Sequence, residues 1–113
     1  MPVNITPDNL MEPPSGGPIN LVVTIKATSE KAAKDAVEIL NRISKKANSS
    51  EEPGCLFYKV MQGAHDPTYI SIVEQYKDGQ AMGQHTENPD FKELISKKDE
   101  LCAELFAKYY YDA

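Results

Sequence analysis

The spacing of apolar residues changes from segment to segment along this chain, and this change restricts the fold more than any other feature. Ile19 to Ala27 is apolar and rich in β-branched residues, which predicts a strand. Between about residues 30 and 47 the apolar residues recur at helical spacing, and Thr28 and Ser29 precede them as capping candidates. This pattern predicts a strand followed by an amphipathic helix.

Two further strands are predicted at 55–61 and 68–76, with a turn at 65–67 between them. The short gap favours an antiparallel hairpin. Alternate residues should share a face of each strand. These are Leu56, Tyr58 and Val60 in the first strand, and Ile70, Ile72, Glu74 and Tyr76 in the second.

The C-terminal part predicts a short helix capped by Asp78 and a second helix capped by Asn88, with an apolar stripe from Phe91 to Phe106. Residues 108–111 suit a closing strand. The order β-α-β-β-α(α)-β is the ferredoxin-like arrangement of an α+β subunit. Helices cover one sheet face, and a second subunit is expected to cover the other, so we predict a homodimer.

Residues 1–18 contain five of the eight prolines, together with Gly16 and Gly17. We interpret this stretch as a flexible, Pro-rich N-terminal arm rather than a domain. The remaining residues, 19–113, form the predicted single domain.

With a net charge of −5, the chain lacks the excess of basic residues that is typical of binding to nucleic acid or to an anionic membrane surface. It shows neither a signal-peptide pattern nor an apolar run near the roughly 20 residues that span a bilayer, so a cytoplasmic location is predicted. Cys55 and Cys102 form no CxxC or Cys/His cluster, and we expect two free, mostly buried thiols and no metal site.

Several short motifs, taken in order, resemble the antibiotic biosynthesis monooxygenase family. They are the run 52–58 (Glu-Pro-Gly-Cys-Leu-Phe-Tyr), the Asp-Pro turn at 66–67 and the run 74–78 (Glu-Gln-Tyr-Lys-Asp). His85 followed by Pro89 and Phe91 is similar to the family's histidine and Pro-x-aromatic helix start. The resemblance covers roughly residues 19–111.

The resemblance implies a dimeric α+β barrel with a pocket between the sheet and the helices of each subunit. Family activities include cofactor-free oxygenation of quinols and anthrones, haem degradation and signal-molecule metabolism, so membership alone does not identify the substrate. Tyr76 stands where the family usually has tryptophan, which counts against haem degradation. Asp90 stands where a second histidine is common, so any role of that histidine is lost.

The candidate catalytic residues are His85 and Glu74. An imidazole titrates near pH ~6.5 and can exchange a proton at cellular pH; the alternative is that His85 only bridges two helices. Glu74 either orients His85 or a substrate hydroxyl, or forms a structural ion pair. Tyr58, Tyr76 and Phe91 are candidate substrate-binding residues, and ordinary core packing is the alternative for each.

The leading functional hypothesis is a cofactor-independent monooxygenase acting on a small electron-rich aromatic compound of the quinol or anthrone type. A deprotonated phenol can pass an electron to dioxygen, so the protein needs to supply only a base, stacking surfaces and a dry pocket. The alternatives are a non-catalytic, dimeric ligand-binding or stress-associated domain, and an isomerase-like enzyme acting on a small signal molecule. No phosphate loop or nucleophile motif occurs, and no cofactor is expected.

Overall fold

The computed structural model describes residues 5–113 and, for Thr6, the backbone alone. The chain contains five strands and four helices within these residues. They are β1 (Ile5–Pro7), β2 (Ile19–Ala27), α1 (Glu30–Ala47), β3 (Cys55–Gln62), β4 (Tyr69–Tyr76), α2 (Gly79–His85), α3 (Pro89–Ser96), α4 (Lys98–Leu101) and β5 (Cys102–Tyr111). The elements from β2 onward follow the predicted ferredoxin-like order, which confirms the α+β fold class.

The five strands form one sheet in the order β1-β5-β2-β4-β3. All neighbours are antiparallel except β1 and β5, which run parallel. Alternate residues of β2 are buried throughout, and α1 packs its apolar side on the same face of the sheet. The core therefore lies between one sheet face and the helices.

Helix α1 begins and ends where the sequence predicts. Of the two capping candidates, Ser29 is the N-cap, and its hydroxyl accepts a hydrogen bond from the Ala32 N–H at 3.0 Å. Glu30 lies in the first turn and Lys46 in the last, as the helix dipole favours. The local signals and the tertiary packing agree in this element.

The prediction of a helix reaching Phe106 is wrong. Strand β5 already begins at Cys102, and it pairs with β2 as far as Tyr111. Leu105 and Ala107 are buried whereas Phe106 is exposed, which is strand alternation. The apolar spacing here fits both the helical period and the alternation of a strand. Pairing with the neighbouring strand β2 stabilises the strand.

Leu56 was predicted to share a face of β3 with Tyr58, but Leu56 is exposed whereas Tyr58 is buried. The pairing of β3 with β4 shifts register between Cys55 and Phe57. This irregularity leaves Leu56 and Phe57 exposed and brings Tyr58 to the buried face.

The N-terminal segment makes contacts that the sequence analysis missed. Residues 1–4 of the predicted arm lie outside the described residues. β1 pairs with β5, the side chain of Leu10 is buried in the core, and the Tyr109 hydroxyl donates to the Leu10 carbonyl at 2.7 Å. The Tyr111 hydroxyl donates likewise to the Ser15 carbonyl at 2.6 Å. The division of the chain at residue 18 stays a prediction.

Substitution of Leu10 tests how much the N-terminal segment contributes to the free energy of unfolding. We expect Leu10→Ala to lower the free energy of unfolding by about 2–5 kcal/mol, since the residue is buried and its loss leaves a cavity. The neighbouring Met11 is exposed, so Met11→Ala should change stability by less than about 0.5 kcal/mol. Denaturant unfolding measures both, and equal effects would show that Leu10 does not belong to the cooperative core.

Candidate active site

Glu74 is a carboxyl group on the buried face of the sheet. It lies in β4 between Ile72 and Tyr76, and its cross-strand neighbours are Leu21 on β2 and Tyr58 on β3. Only 4% of the residue is exposed. The Tyr76 hydroxyl donates a hydrogen bond of 2.6 Å to Glu74 Oε1.

Burial raises the pKa of Glu74 to about 7, because the charged form loses its hydration. The nearby His85 and the hydrogen bond from Tyr76 oppose this rise, and Glu52 adds to it. A carboxyl with this pKa can accept and release a proton near neutral pH, as a general acid–base group requires. Burial, and secondarily the charge of Glu74, raises the pKa values of Tyr58 and Tyr76 well above the ordinary tyrosine value.

His85 is the last residue of α2, whose N-cap Asp78 accepts a hydrogen bond from Ala81 N–H. The imidazole is 1% exposed and faces two carboxyl groups. Its Nδ1 lies 2.7 Å from Glu52 Oε1, and its Nε2 lies 3.9 Å from Glu74 Oε1. The Nε2 atom is buried and has no hydrogen-bond partner among residues 5–113.

Three aromatic rings surround the imidazole. The ring centroids of Tyr58, Tyr76 and Phe91 lie 5.5, 5.3 and 5.4 Å from that of His85. The Phe91 ring meets the imidazole edge-on, and the two tyrosines are tilted. These contacts exclude water from His85 and restrict the orientations of its ring.

All five sequence-predicted site residues therefore meet at one place in the fold. His85 and Glu74 are adjacent, and Tyr58, Tyr76 and Phe91 form their surroundings. Cys55 and Cys102 are both free, and burial raises the pKa of each thiol to about 11. Such thiols are poor nucleophiles at neutral pH.

Glu52 is the site residue that sequence reasoning missed. It precedes the turn into β3, where Gly54 passes so close to α2 that an added Cβ would lie 2.5 Å from the Ala81 Cβ. This close approach carries the Glu52 carboxylate to His85, 33 positions away in sequence. A carboxylate beside the Pro-Gly turn was the available signal, but only the fold shows which helix the turn contacts.

A narrow apolar cavity of about 30 Å³ adjoins Glu74. Glu74 and Tyr58 are its polar lining, and Leu10, Phe91 and Leu94 are among its apolar walls. This volume is enough for a water molecule, whereas a cavity that binds benzene measures about 150 Å³. An aromatic ligand would therefore have to widen it.

Within residues 5–113, no three His, Cys, Asp or Glu side chains are placed to hold a metal ion together. Nor does any helix in this part of the chain have the length and apolar character that crossing a membrane requires.

The fold and the site together define a ferredoxin-like α+β domain with a buried carboxyl–imidazole pair beside an apolar cavity. The chain belongs to the antibiotic biosynthesis monooxygenase family, whose model matches residues 18–97. The family resemblance noted in the sequence is thus confirmed. A search of curated proteins found no match.

Solved structures share this fold at low sequence identity. PA3566 from Pseudomonas aeruginosa is 23% identical with a TM-score of 0.76, and the match covers 88% of this chain and 98% of that one. A proposed antibiotic biosynthesis monooxygenase from Caulobacter crescentus is 21% identical with a TM-score of 0.74, covering 87% and 92%. Rv0793 from Mycobacterium tuberculosis is 15% identical with a TM-score of 0.75, covering 86% and 96%. At these identities the likeness supports the fold alone.

The raised pKa of Glu74 has a consequence for stability. Between the ordinary glutamate pKa of 4.5 and the folded value of about 7, the folded protein holds a proton that the unfolded chain releases. The free energy of unfolding should therefore fall as pH rises through this window, by up to about 3 kcal/mol from this group.

Glu74→Gln should remove that contribution, so the difference in stability between variant and wild type should change across pH 4.5 to 7. Denaturant unfolding at several pH values measures it. Glu51→Gln, at an exposed position, is the control, and the pH dependence of its stability should run parallel to that of wild type. Parallel curves for Glu74→Gln as well would contradict the raised pKa.

Proposed function

We propose that this protein is a cofactor-independent monooxygenase acting on a small electron-rich aromatic compound of the quinol or anthrone type. The observation that carries the proposal is a carboxyl of pKa about 7, Glu74, at the polar end of an apolar cavity with His85 directly behind it. Membership of the monooxygenase family supports the same reaction class.

The proposed reaction begins with proton transfer from a substrate hydroxyl or acidic C–H to Glu74, and the residues around the cavity favour this step. Glu74 lines the cavity, whereas His85 is not part of its wall. His85 therefore serves as the second proton acceptor, and Tyr76 holds Glu74 in place through its hydrogen bond. Tyr58 and Phe91 form the aromatic surfaces against which a planar ligand would stack.

The substrate anion then passes an electron to dioxygen, and the two radicals combine to a peroxide anion. This anion takes back the proton held at Glu74 or His85 and becomes a hydroperoxide. For an anthrone, the carbon that carries two hydrogens becomes a carbonyl. One oxygen atom of O₂ enters that carbonyl, and the other leaves as water with the two hydrogens. The substrate supplies all the electrons, so the reaction needs no other reductant, and an apolar pocket keeps the reactive intermediates from solvent.

Dioxygen consumption by metal-stripped protein with a panel of hydroquinones and anthrones tests the proposal. We expect saturable uptake that His85→Ala and Glu74→Gln each lower at least about tenfold, since a general base contributes about 10²–10⁴-fold. His65 is the other histidine and is exposed in the turn before β4, so His65→Ala is the matched control and should retain the rate. Uptake no faster than in buffer on every compound would overturn the proposal.

A non-catalytic ligand-binding domain is the second candidate, and the size of the cavity favours it. The cavity holds about 30 Å³, and the aromatic residues pack His85 away from it. Saturable binding of an aromatic compound without any oxygen uptake would support this candidate in place of the first.

We further propose that the protein is a cytoplasmic homodimer formed through the sheet face that lacks helices. Both cysteines are free, as is usual in a reducing compartment. Val22 and Val73 pair on the outer face of β2 and β4, and Phe57, Met61 and Phe106 are exposed on the neighbouring strands. A second copy of this face would bury these apolar side chains.

Sedimentation equilibrium tests the dimer. We expect a mass of twice the 12.5 kDa of the single chain, and we expect Val73→Glu to give the monomer because it places a charge in the apolar face. Gln80→Glu adds the same charge at an exposed position on α2 and should leave the dimer intact. A monomeric wild-type protein would overturn this proposal.

A further inference from the structure

We propose that Glu52 is a positioning residue that holds His85 as the Nδ1–H tautomer, so that the Nε2 lone pair faces Glu74. Three observations support this inference: the 2.7 Å distance between Glu52 Oε1 and His85 Nδ1, the absence of a hydrogen-bond partner for Nε2 within the described part of the chain, and the fixed orientation of Asn88. The catalytic use of Nε2 rests on the proposed function, whereas the tautomer itself does not.

The orientation of the Asn88 amide shows that Glu52 acts as a hydrogen-bond acceptor. Its Oδ1 accepts a hydrogen bond of 2.8 Å from the Asp90 N–H as the N-cap of α3, and this fixes the amide. The Nδ2 group consequently faces Glu52 and donates to Oε2 at 3.3 Å. One carboxylate oxygen of Glu52 is therefore an acceptor, and the other can accept in the same way from His85 Nδ1–H.

The two carboxyl groups beside His85 differ in their surroundings. The side chain of Glu52 is 13% exposed and lines a surface depression of about 290 Å³, whereas that of Glu74 is 6% exposed and faces the apolar cavity. Glu52 Oε1 lies at hydrogen-bond distance from Nδ1, whereas Glu74 Oε1 lies 3.9 Å from Nε2, beyond a hydrogen bond. The histidine proton therefore has an acceptor at Nδ1, and this favours the Nδ1–H tautomer.

This arrangement assigns a proton path to the site. Glu74 takes the substrate proton, its O–H bond then breaks, and an N–H bond forms at His85 Nε2. The resulting imidazolium is stabilised by the Glu52 carboxylate at 2.7 Å. The 3.9 Å between Nε2 and Glu74 Oε1 has to shorten by about 1 Å for this transfer, within the adjustment that sites make on binding a ligand.

Glu52→Gln gives a definite structural prediction. Because Asn88 Nδ2 remains a donor, the glutamine at position 52 should turn its oxygen toward Asn88 and its NH₂ group toward His85. His85 Nδ1 then becomes an acceptor, and the histidine proton moves to Nε2. Loss of the acceptor thus switches the tautomer while the shape of the side chain is kept.

Nitrogen-15 NMR of histidine-labelled protein reads the tautomer directly, with His65 as the internal reference. We expect Nδ1–H in wild type and in the exposed control Glu51→Gln, and Nε2–H in Glu52→Gln. Asn88→Ser keeps a capping hydroxyl but removes the amide donor, so adding it to Glu52→Gln should restore Nδ1–H in part. Nε2–H in wild type, or an unchanged tautomer in Glu52→Gln, would overturn the proposal.

Kinetic measurements on Glu52→Gln test the catalytic part of this proposal separately from the proposed oxygenase reaction. With an active substrate, Glu52→Gln should lower kcat at least about tenfold and leave KM nearly unchanged, since Glu52 does not line the cavity. An unchanged kcat despite a switched tautomer would overturn the catalytic part. A wild type that consumes no oxygen would reject the proposed function, and the NMR result would still decide the tautomer.

Discussion

The Glu74 carboxyl is buried, and the arrangement of the other site residues depends on this burial. Alternation along β4 places every second residue on the helix-covered face, and Glu74 shares that face with Ile70, Ile72 and Tyr76. An ionised carboxylate in such a place is costly unless it is paired, and so its pKa rises and it acquires polar neighbours. The Tyr76 hydroxyl and the His85 imidazole are these neighbours, and both are buried themselves.

Much of this fold can be predicted from the sequence, because the local signals agree with the tertiary structure. The strand at Ile19–Ala27, helix α1 with its Ser29 cap and helix α3 with its Asn88 cap all lie where period and capping residues place them. The alternation of side chains along a strand also predicts that Glu74 and Tyr76 share one face. His85 joined them only through the resemblance to the family, since no local pattern relates it to β4.

The errors arise where contacts between distant segments decide. The stretch 102–106 has apolar spacing that fits a helix, yet its pairing with β2 makes it a strand. The proline-rich segment gave no sign of packing, although Leu10 is buried and two C-terminal tyrosines donate hydrogen bonds to its backbone. Glu52 was not predicted as a site residue for the same reason, because it lies 33 positions from His85 in sequence. Turn chemistry predicts where the chain bends, but it does not predict what the bend will touch.

In the proposed reaction, the distribution of charge at the site would allow acid–base chemistry beside an apolar pocket. Glu52 and Glu74 lie on opposite sides of one imidazole, and only Glu52 reaches the surface. Once Glu74 has taken the substrate proton in the proposed reaction, that proton can lie on Glu74 or on His85 Nε2. Either position gives Glu74, His85 and Glu52 together the same net charge. Proton transfer within the pair therefore moves no net charge into or out of the core, which keeps its electrostatic cost small in a medium of low dielectric.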